Sequence, residues 1–109
     1  MITWEDFEKI DIRIGTILSA TDFPGARKPA YRLRIDFGPE GIKNSSAQIT
    51  SLYNIDSLMG RQVAAVINFP PKQIGNFFSE CLVLGIYNEK KEVVLLQPAQ
   101  MVNNGDKIG

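Results

Sequence analysis

The sequence predicts an all-β domain with short helices, folded as a small five-stranded barrel. One observation is the segment YRLRIDFG, in which apolar and polar residues alternate as on a strand with one buried face. A second is the set of short apolar segments QVAAVINF, SECLVLGIY and EVVLLQP, which are bounded by turn residues. A third is the length of 109 residues, which suits one domain spanning residues 1–109.

The first element predicted is a short helix. Thr3 can accept a hydrogen bond as the N-cap, and Asp6 stands three residues later, in the place where a capping box usually has Glu or Gln. Ile2, just before the cap, can pack on Phe7 as a hydrophobic staple. The helix therefore begins near Thr3 and ends before DIRIGT.

A strand with one irregularity follows. Ile10, Ile12 and Ile14 alternate with polar residues, but Ile17 falls on the opposite parity. Because Gly15 lies at the change of phase, we expect a β-bulge near Gly15. Small barrels use such bulges to bend a strand around a corner.

The next two strands enclose a turn, GPEG, and are preceded by the loop TDFPGARKPA. In the first of them the residues predicted to face the core are Tyr31, Leu33, Ile35 and Phe37, and those predicted to face outward are Arg32, Arg34 and Asp36. For the second, KNSSAQIT, we expect Phe37 to pair with Lys43, which places Arg34 opposite Ser46 and Arg32 opposite Gln48. A slip by one residue would turn Ser46 and Gln48 into the core without partners.

The remaining segments predict a helical turn and three more strands. NIDSLMGRQ predicts a helical turn that ends at Gly60, and QVAAVINF predicts the fourth strand. SECLVLGIY and EVVLLQP predict two more strands joined by the charged turn NEKKE, ahead of a turn-rich tail. Strands with a helical insert between the third and fourth are typical of the OB-fold, a Greek-key barrel that binds oligonucleotides through one face and two loops.

The composition disfavours catalysis and metal binding. The chain has no histidine and one cysteine, so the commonest general base is missing and no usual zinc-ligand spacing can be drawn. It has no Walker loop and no Gly-x-Gly-x-x-Gly segment. A hydrolase using Ser45 or Ser46 lacks a suitably spaced base. We therefore expect a protein that is not an enzyme and carries no cofactor or metal.

Charge and hydropathy limit which partners and which cellular location we expect. Twelve Lys and Arg residues balance twelve Asp and Glu residues, so any nucleic-acid site must be a local patch. No apolar segment is long enough to cross a bilayer, and the N-terminus is acidic where a signal peptide is basic. We expect a cytoplasmic protein without membrane insertion. The lone Cys81 adjoins an apolar segment and is expected in the core.

Five segments, in order, resemble the tRNA-binding-domain family: FEKIDIRIGTI, FPGARKPAYRLRIDFG, IKNSSAQIT, VINFPPKQIGNFFSECLVLG and VVLLQP with NGDKIG. The resemblance covers nearly the whole chain. It implies an OB-fold homodimer without catalysis that binds the tRNA outside corner by shape. It also implies a chaperone role, linked to protein export, toward unfolded or exported polypeptides, because a small stand-alone member has such a role. The N-terminal helix and the C-terminal tail are the dimer elements that the resemblance implies. Trp4 and Phe7, in this helix, are candidate dimer-interface residues, although ordinary barrel packing explains them equally well.

The resemblance implies an RNA-binding surface in two parts. The first is the long loop between the fourth and fifth OB strands, where the positions that match the family are Asn68, Lys72, Gln73, Ser79 and Glu80. The second is the outer face of the second and third strands, with Arg32, Arg34, Ser46 and Gln48, and Lys43 also falls in the region that faces RNA in the family. Arginine suits phosphate because its planar fork donates two hydrogen bonds at once. Arg27 and Lys28 add charge at the edge of this surface, or are simply solvated.

The long loop also suits a peptide. Pro70 and Pro71 stiffen its entry, and a stiff loop loses less entropy when a partner binds. Phe77 and Phe78 can stack on bases or receive an apolar side chain of a peptide, or one of them can close the end of the barrel. Lys72 is the loop's only cation, so RNA bound by the loop alone would be held weakly. Two functions therefore remain open: a tRNA or structured-RNA binding module, and a chaperone for apolar peptides.

Overall fold

The computed structural model describes all 109 residues. Two short α-helices and nine short strands follow one another along the chain: α1 Trp4–Glu8, β1 Ile12–Asp22, β2 Tyr31–Asp36, β3 Ile42–Ala47, α2 Ile55–Leu58, β4 Gln62–Val66, β5 Lys72–Ile74, β6 Phe77–Ser79, β7 Leu82–Val83, β8 Gly85–Tyr87 and β9 Val93–Leu95. A 3-10 helix, Gly38–Glu40, separates β2 from β3. No helix in the structure is both long enough and apolar enough to span a bilayer.

The five main strands form one antiparallel sheet in the order β3-β2-β1-β4-β7. The long strand β1 bends between its two neighbours, pairing with β4 through its first half and with β2 through its second. Two hydrogen bonds close the barrel between β3 and the residues before β7: the amide of Glu80 donates to the carbonyl of Asn44, and the hydroxyl of Ser45 donates to the carbonyl of Cys81. The predicted all-β, five-stranded Greek-key barrel is therefore confirmed.

The irregularity in β1 lies beyond the glycine that predicted it. The register shifts between Ile17 and Ser19, whereas we expected the bulge near Gly15. Gly15 has another role, because a Cβ atom there would lie 2.6 Å from Cγ2 of Ile35 and 2.7 Å from the ring of Phe37. The absence of a side chain at Gly15 lets β1 pass closely over these two core residues.

The predicted facing of β2 is confirmed, but its register with β3 is wrong by two residues. Arg32 pairs with Ser46 instead of Gln48, and Arg34 pairs with Asn44 instead of Ser46. The 3-10 helix explains the shift, since it centres the turn on Pro39, one residue earlier than the predicted pairing requires, and Asp36 therefore lies opposite Ile42. A shift of two residues keeps every side chain on its predicted face.

The core lies inside the barrel and is made of aliphatic and aromatic side chains from β1, β2, β3 and β4, from α2 and from the connections between them. The largest of these with almost no exposed surface are Phe37, Ile17, Leu33, Ile35, Leu58 and Val63. The buried Gln62 fixes the C-terminal tail, because its side chain donates to the carbonyl of Val102 and accepts from the amide of Val102. The tail then pairs with the start of β1 through Lys107 and Arg13.

The N-terminal helix begins as predicted. The amide of Asp6 donates to Oγ1 of Thr3, and the amide of Thr3 donates to Oδ2 of Asp6, which together form the capping box. Helix α1 has only five residues and none of them is buried. Its position is fixed instead by Asn68, whose side chain donates to the carbonyl of Lys9 at 2.7 Å and accepts from the amide of Asp11 at 3.0 Å.

Candidate nucleic-acid interface

The segment predicted as a loop between the fourth and fifth OB strands is a β-hairpin. Strands β5 and β6 pair from Lys72 with Ser79 to Ile74 with Phe77, around a two-residue turn. Gly75 has φ +61° and is the first turn residue, as a type II′ turn requires. A Gly-Asn pair between two apolar residues is a hairpin signal, so the sequence carried the information that our loop interpretation missed.

The two phenylalanines of the hairpin have different environments. Phe77 is partly buried, and its ring meets the ring of Phe23 edge to face with 5.3 Å between centroids. Phe78 points the other way and remains 51% exposed. One aromatic ring is therefore packed against another aromatic side chain, and the other is presented to solvent.

Arg32 is held by both aromatic rings. Its guanidinium carbon lies 4.3 Å from the ring centroid of Phe23 and 5.3 Å from that of Phe77. Each such cation–π contact contributes about 0.5 to 2 kcal/mol, depending on how far it is desolvated. The Nε atom of Arg32 is buried and has no hydrogen-bond partner. We call these three side chains the Arg32 cluster.

Arg34 lies two residues along the same outer face of β2 and is exposed. It forms no ion pair and no side-chain hydrogen bond. The guanidinium of Arg34 is therefore free to donate to a ligand, in contrast to that of Arg32. Lys43 belongs to the opposite face of β3, because it shares the parity of the buried Ser45.

A cationic groove lies between the loop after β1 and the β5–β6 hairpin. Its polar and charged lining consists of Arg27, Lys28, Ser46, Gln48 and Lys72, with Ala26, Ala30 and Ile74 between them. None of its three cations pairs with an acid, since the ion pairs of the structure involve only Lys9 and Arg13. The groove is therefore locally positive in a chain whose net charge is zero.

The groove brings together residues that the sequence placed in separate segments. Ser46 and Gln48 come from the end of β3, and Lys72 comes from the hairpin, as the predicted surface required. Arg27 and Lys28 form part of the lining, although the sequence alone allowed them to be merely solvated. Phe23 was not predicted at all. The only local signal for it is an aromatic residue directly before Pro24 and Gly25.

Three other side chains that were predicted to contact RNA form hydrogen bonds within the protein instead. Asn68 fixes the chain at the end of α1. Oγ of Ser79 accepts from the amide of Ser46 at 3.3 Å, and Oε1 of Glu80 accepts from the amide of Asn44 at 2.9 Å, so both close the barrel. Gln73 is exposed, and its side chain donates to the carbonyl of Gly75 at the turn of the hairpin.

An apolar pocket adjoins the groove and shares Lys72 with it. It is lined by Phe69, Pro70, Lys72, Ser79, Cys81 and Leu82, and Pro71 lies exposed at the same entry to the hairpin. Phe69 and Leu82 keep about half of their surface exposed, at 53% and 48%. Burial raises the pKa of Cys81 to about 11, and the nearby Glu80 adds to the shift, so this thiol is neutral at physiological pH.

The N-terminal helix presents apolar side chains away from the groove's lining. Trp4 is 85% exposed and Ile2 is 75% exposed, while Phe7 is partly buried. Together with Gly109 these residues line a cleft at the chain ends. No cluster of three or more His, Cys, Asp or Glu side chains is present in the structure.

Comparison with known proteins identifies a family that matches most of the chain. The family model described as "Putative tRNA binding domain" matches residues 12–107. Methionine--tRNA ligases from Methanococcoides burtonii and Porphyromonas gingivalis are each 34% identical to the chain, over 105 and 107 residues, or 96% and 98% of it. The chain spans about 15% of the length of these two relatives.

Solved structures resemble the chain over its entire length. The chaperone CsaA from Bacillus anthracis has a TM-score of 0.94 and 54% identity, with 100% of this chain and 99% of that chain covered. The CsaA chaperone protein from Picrophilus torridus has a TM-score of 0.94 and 55% identity, with both chains fully covered. These matches confirm the resemblance found in the sequence: the chain belongs to the tRNA-binding-domain family.

Proposed function

We propose that this chain binds structured RNA, tRNA in particular, through the cationic groove and the adjacent outer face of β2. The observation that carries the proposal is the convergence of three unpaired cations, Arg27, Lys28 and Lys72, on one groove. The unpaired Arg34 lies on the outer face of β2, outside the lining of the groove. Unpaired cations release counterions from phosphates without first having to break an ion pair. Membership of the tRNA-binding-domain family supports the same ligand.

The mode of recognition follows from the types of residue in the groove. Lysine and arginine hold phosphates whatever the sequence, and Ser46 and Gln48 offer neutral donors and acceptors. Contacts of this kind read the shape and the backbone of a folded RNA. The protein acts in this proposal as a non-catalytic binding module in the cytoplasm, where its ligand is found.

A titration of the protein with bulk tRNA, followed by fluorescence anisotropy at several salt concentrations, tests this proposal. With three or four phosphate contacts, the logarithm of the binding constant should fall by about 2 to 4 for each tenfold increase in salt. An unstructured homopolymeric RNA of matched length is the control, and it should bind more weakly because it lacks the folded shape. Binding that does not depend on salt would refute the proposal.

A second function, a chaperone for unfolded or exported polypeptides, is favoured by the apolar surface beside the groove. Phe69 and Leu82 are each about half exposed around one pocket, and large apolar side chains exposed together often mark a binding site. Two proteins with 54% and 55% identity to this chain are described as chaperones. Because the pocket and the groove share Lys72, a bound peptide and a bound tRNA would exclude each other.

Competition between the two ligands tests this second function. A fluorescent, unstructured peptide rich in leucine and phenylalanine should bind, and its binding should weaken little with salt because apolar burial dominates. Saturating tRNA should displace it. A charge-matched peptide in which serine replaces the apolar residues is the control. Equal binding of both peptides, or simultaneous binding of peptide and tRNA, would contradict the shared surface.

We further propose that two copies of the chain associate through α1. Trp4 and Ile2 expose large apolar surfaces, and a five-residue helix gains little stability unless it packs against something. Analytical ultracentrifugation should give a dimer for the unsubstituted chain and a monomer for Trp4→Ser. The matched control is Tyr87→Ser, since Tyr87 is similarly exposed, at 77%, but lies on β8. A monomeric unsubstituted chain would rule out the dimer.

A further inference from the structure

We propose that Arg32 is a positioning residue that joins the two recognition loops, the loop after β1 and the β5–β6 hairpin, into one rigid site. This inference rests on the proposed RNA-binding function. It concerns how the cationic groove keeps its shape, which the charges of the groove do not by themselves explain.

The contacts of Arg32 connect three separate segments. Arg32 is on β2, Phe23 is at the base of the loop after β1, and Phe77 is on β6. The guanidinium lies within 5.3 Å of both ring centroids, and the two rings also touch each other. Each member of the Arg32 cluster therefore contacts both of the others.

The cluster sits at the base of the groove. The amide of Phe23 donates to the carbonyl of Ala30, which closes the loop that carries Arg27 and Lys28. Phe77 pairs with Ile74 at the turn end of the hairpin that carries Lys72. Ser46, opposite Arg32 on β3, is itself part of the groove lining. The cluster thus fixes the distance between the cations on the two sides of the groove.

The buried Nε of Arg32 argues against a side-on phosphate fork. A side-on fork uses Nε together with one Nη atom, and here Nε is buried without a partner. Arg34, two residues away on the same face, has its whole guanidinium available. The structure divides the two arginines accordingly: Arg34 contacts the ligand, and Arg32 holds the loops that surround it.

The obvious test is a pair of substitutions at Arg32. Arg32→Lys keeps the charge and loses the planar face, while Arg32→Met keeps the length and loses the charge. Amide hydrogen exchange in the β5–β6 ladder should become about 2- to 30-fold faster in Arg32→Met, which is the range that the loss of one cation–π contact sets. The acceleration should be smaller in Arg32→Lys, because its ammonium group can still approach the rings. Exchange in the β1–β2 ladder should change much less. Affinity for bulk tRNA should fall in both variants, with an unchanged salt dependence.

Other outcomes would overturn the proposal. If Arg32→Met lowers the salt slope by about one and leaves hairpin exchange unchanged, Arg32 is a phosphate ligand. If hairpin exchange accelerates but tRNA affinity stays the same, the cluster serves stability alone. Phe77→Leu is the second variant, in case the Arg32 variants do not fold, and it should show the same pattern with every charge retained. Failure of the unsubstituted protein to bind tRNA would refute the proposed function itself, while the exchange measurement would still decide whether Arg32 holds the hairpin.

Discussion

Glu80 and Asn44 exchange two hydrogen bonds across the seam of the barrel. The amide of Glu80 donates to the carbonyl of Asn44 at 2.8 Å, and the amide of Asn44 donates to Oε1 of Glu80 at 2.9 Å. The carboxylate thus takes the place of a backbone carbonyl at a point where β3 has no regular ladder with β7. Glu80, which the family resemblance placed among the RNA-binding residues, therefore has a structural role in closing the barrel.

Replacement of Glu80 by alanine should therefore reduce stability. The substitution leaves the amide of Asn44 without its acceptor, and a lost hydrogen bond to a charged group costs about 1 to 3 kcal/mol of unfolding free energy. Glu80→Gln keeps an acceptor oxygen and should lose less than half as much. Urea denaturation at pH 7 measures both. Unchanged urea midpoints, combined with a loss of tRNA affinity in Glu80→Ala, would instead make Glu80 a ligand-contacting residue.

The facing of side chains was predictable because it depends on local alternation. The buried Leu33 and the exposed Arg34 follow from neighbouring positions in one strand, whatever the strand pairs with. The register of β2 and β3 depends on the geometry of the turn, and the 3-10 helix at Gly38–Glu40 centres that turn one residue earlier, which the letters GPEG do not specify. The hairpin at Gly75 was predictable from its turn residues, but the surrounding prolines favoured a loop interpretation.

The composition of the site was partly predictable, and the partners of its side chains were not. Lys72 and Gln48 line the groove, as their positions in the family's motif suggest. The aromatic partners of Arg32 come from segments far away in the sequence, and nothing local to Arg32 indicates them. Pairings such as that of Glu80 with Asn44 depend in the same way on how the barrel closes.

Removal of single cations from the proposed RNA surface should lower the salt dependence of tRNA binding. Arg34→Gln and Lys72→Gln should each reduce the salt slope by about one, because each removes one phosphate contact. Lys90→Gln is the matched control, since Lys90 lies in the turn between β8 and β9, outside the lining of the groove. The measurement is anisotropy at four or more salt concentrations. An equal loss of slope in Lys90→Gln would mean that net charge, and not the groove, determines binding.

The two phenylalanines of the hairpin should respond differently to replacement by serine. Phe78 is 51% exposed, so Phe78→Ser should change the unfolding free energy by no more than about 0.5 kcal/mol. If a bound peptide extends from the apolar pocket over the hairpin to Phe78, this variant should bind an apolar peptide several-fold more weakly. Phe77→Ser removes a ring from the Arg32 cluster and should lower both stability and tRNA affinity. Peptide binding that is unaffected by Phe78→Ser would exclude Phe78 from the peptide site.

The buried thiol of Cys81 should make stability depend on alkaline pH. Burial raises the pKa of Cys81 from its ordinary value of 9.0 to about 11. Between these two pH values the thiol is ionised in the unfolded chain but protonated in the folded one, so the unfolded chain binds fewer protons and stability falls as pH rises. Below pH 9 both states hold the proton, and the contribution is fully present.

A comparison with Cys81→Ala isolates this contribution. Other groups, such as tyrosines and lysines, also titrate at alkaline pH, but both proteins share them. The unfolding free energy of the unsubstituted protein should exceed that of Cys81→Ala at pH 8, and the difference should shrink by about 1 kcal/mol between pH 9 and pH 10. Urea denaturation at pH 8, 9 and 10 measures it. A difference that stays constant over this range would show that the thiol is reached by water, and alkylation by iodoacetamide at pH 8 should then be fast in the folded protein.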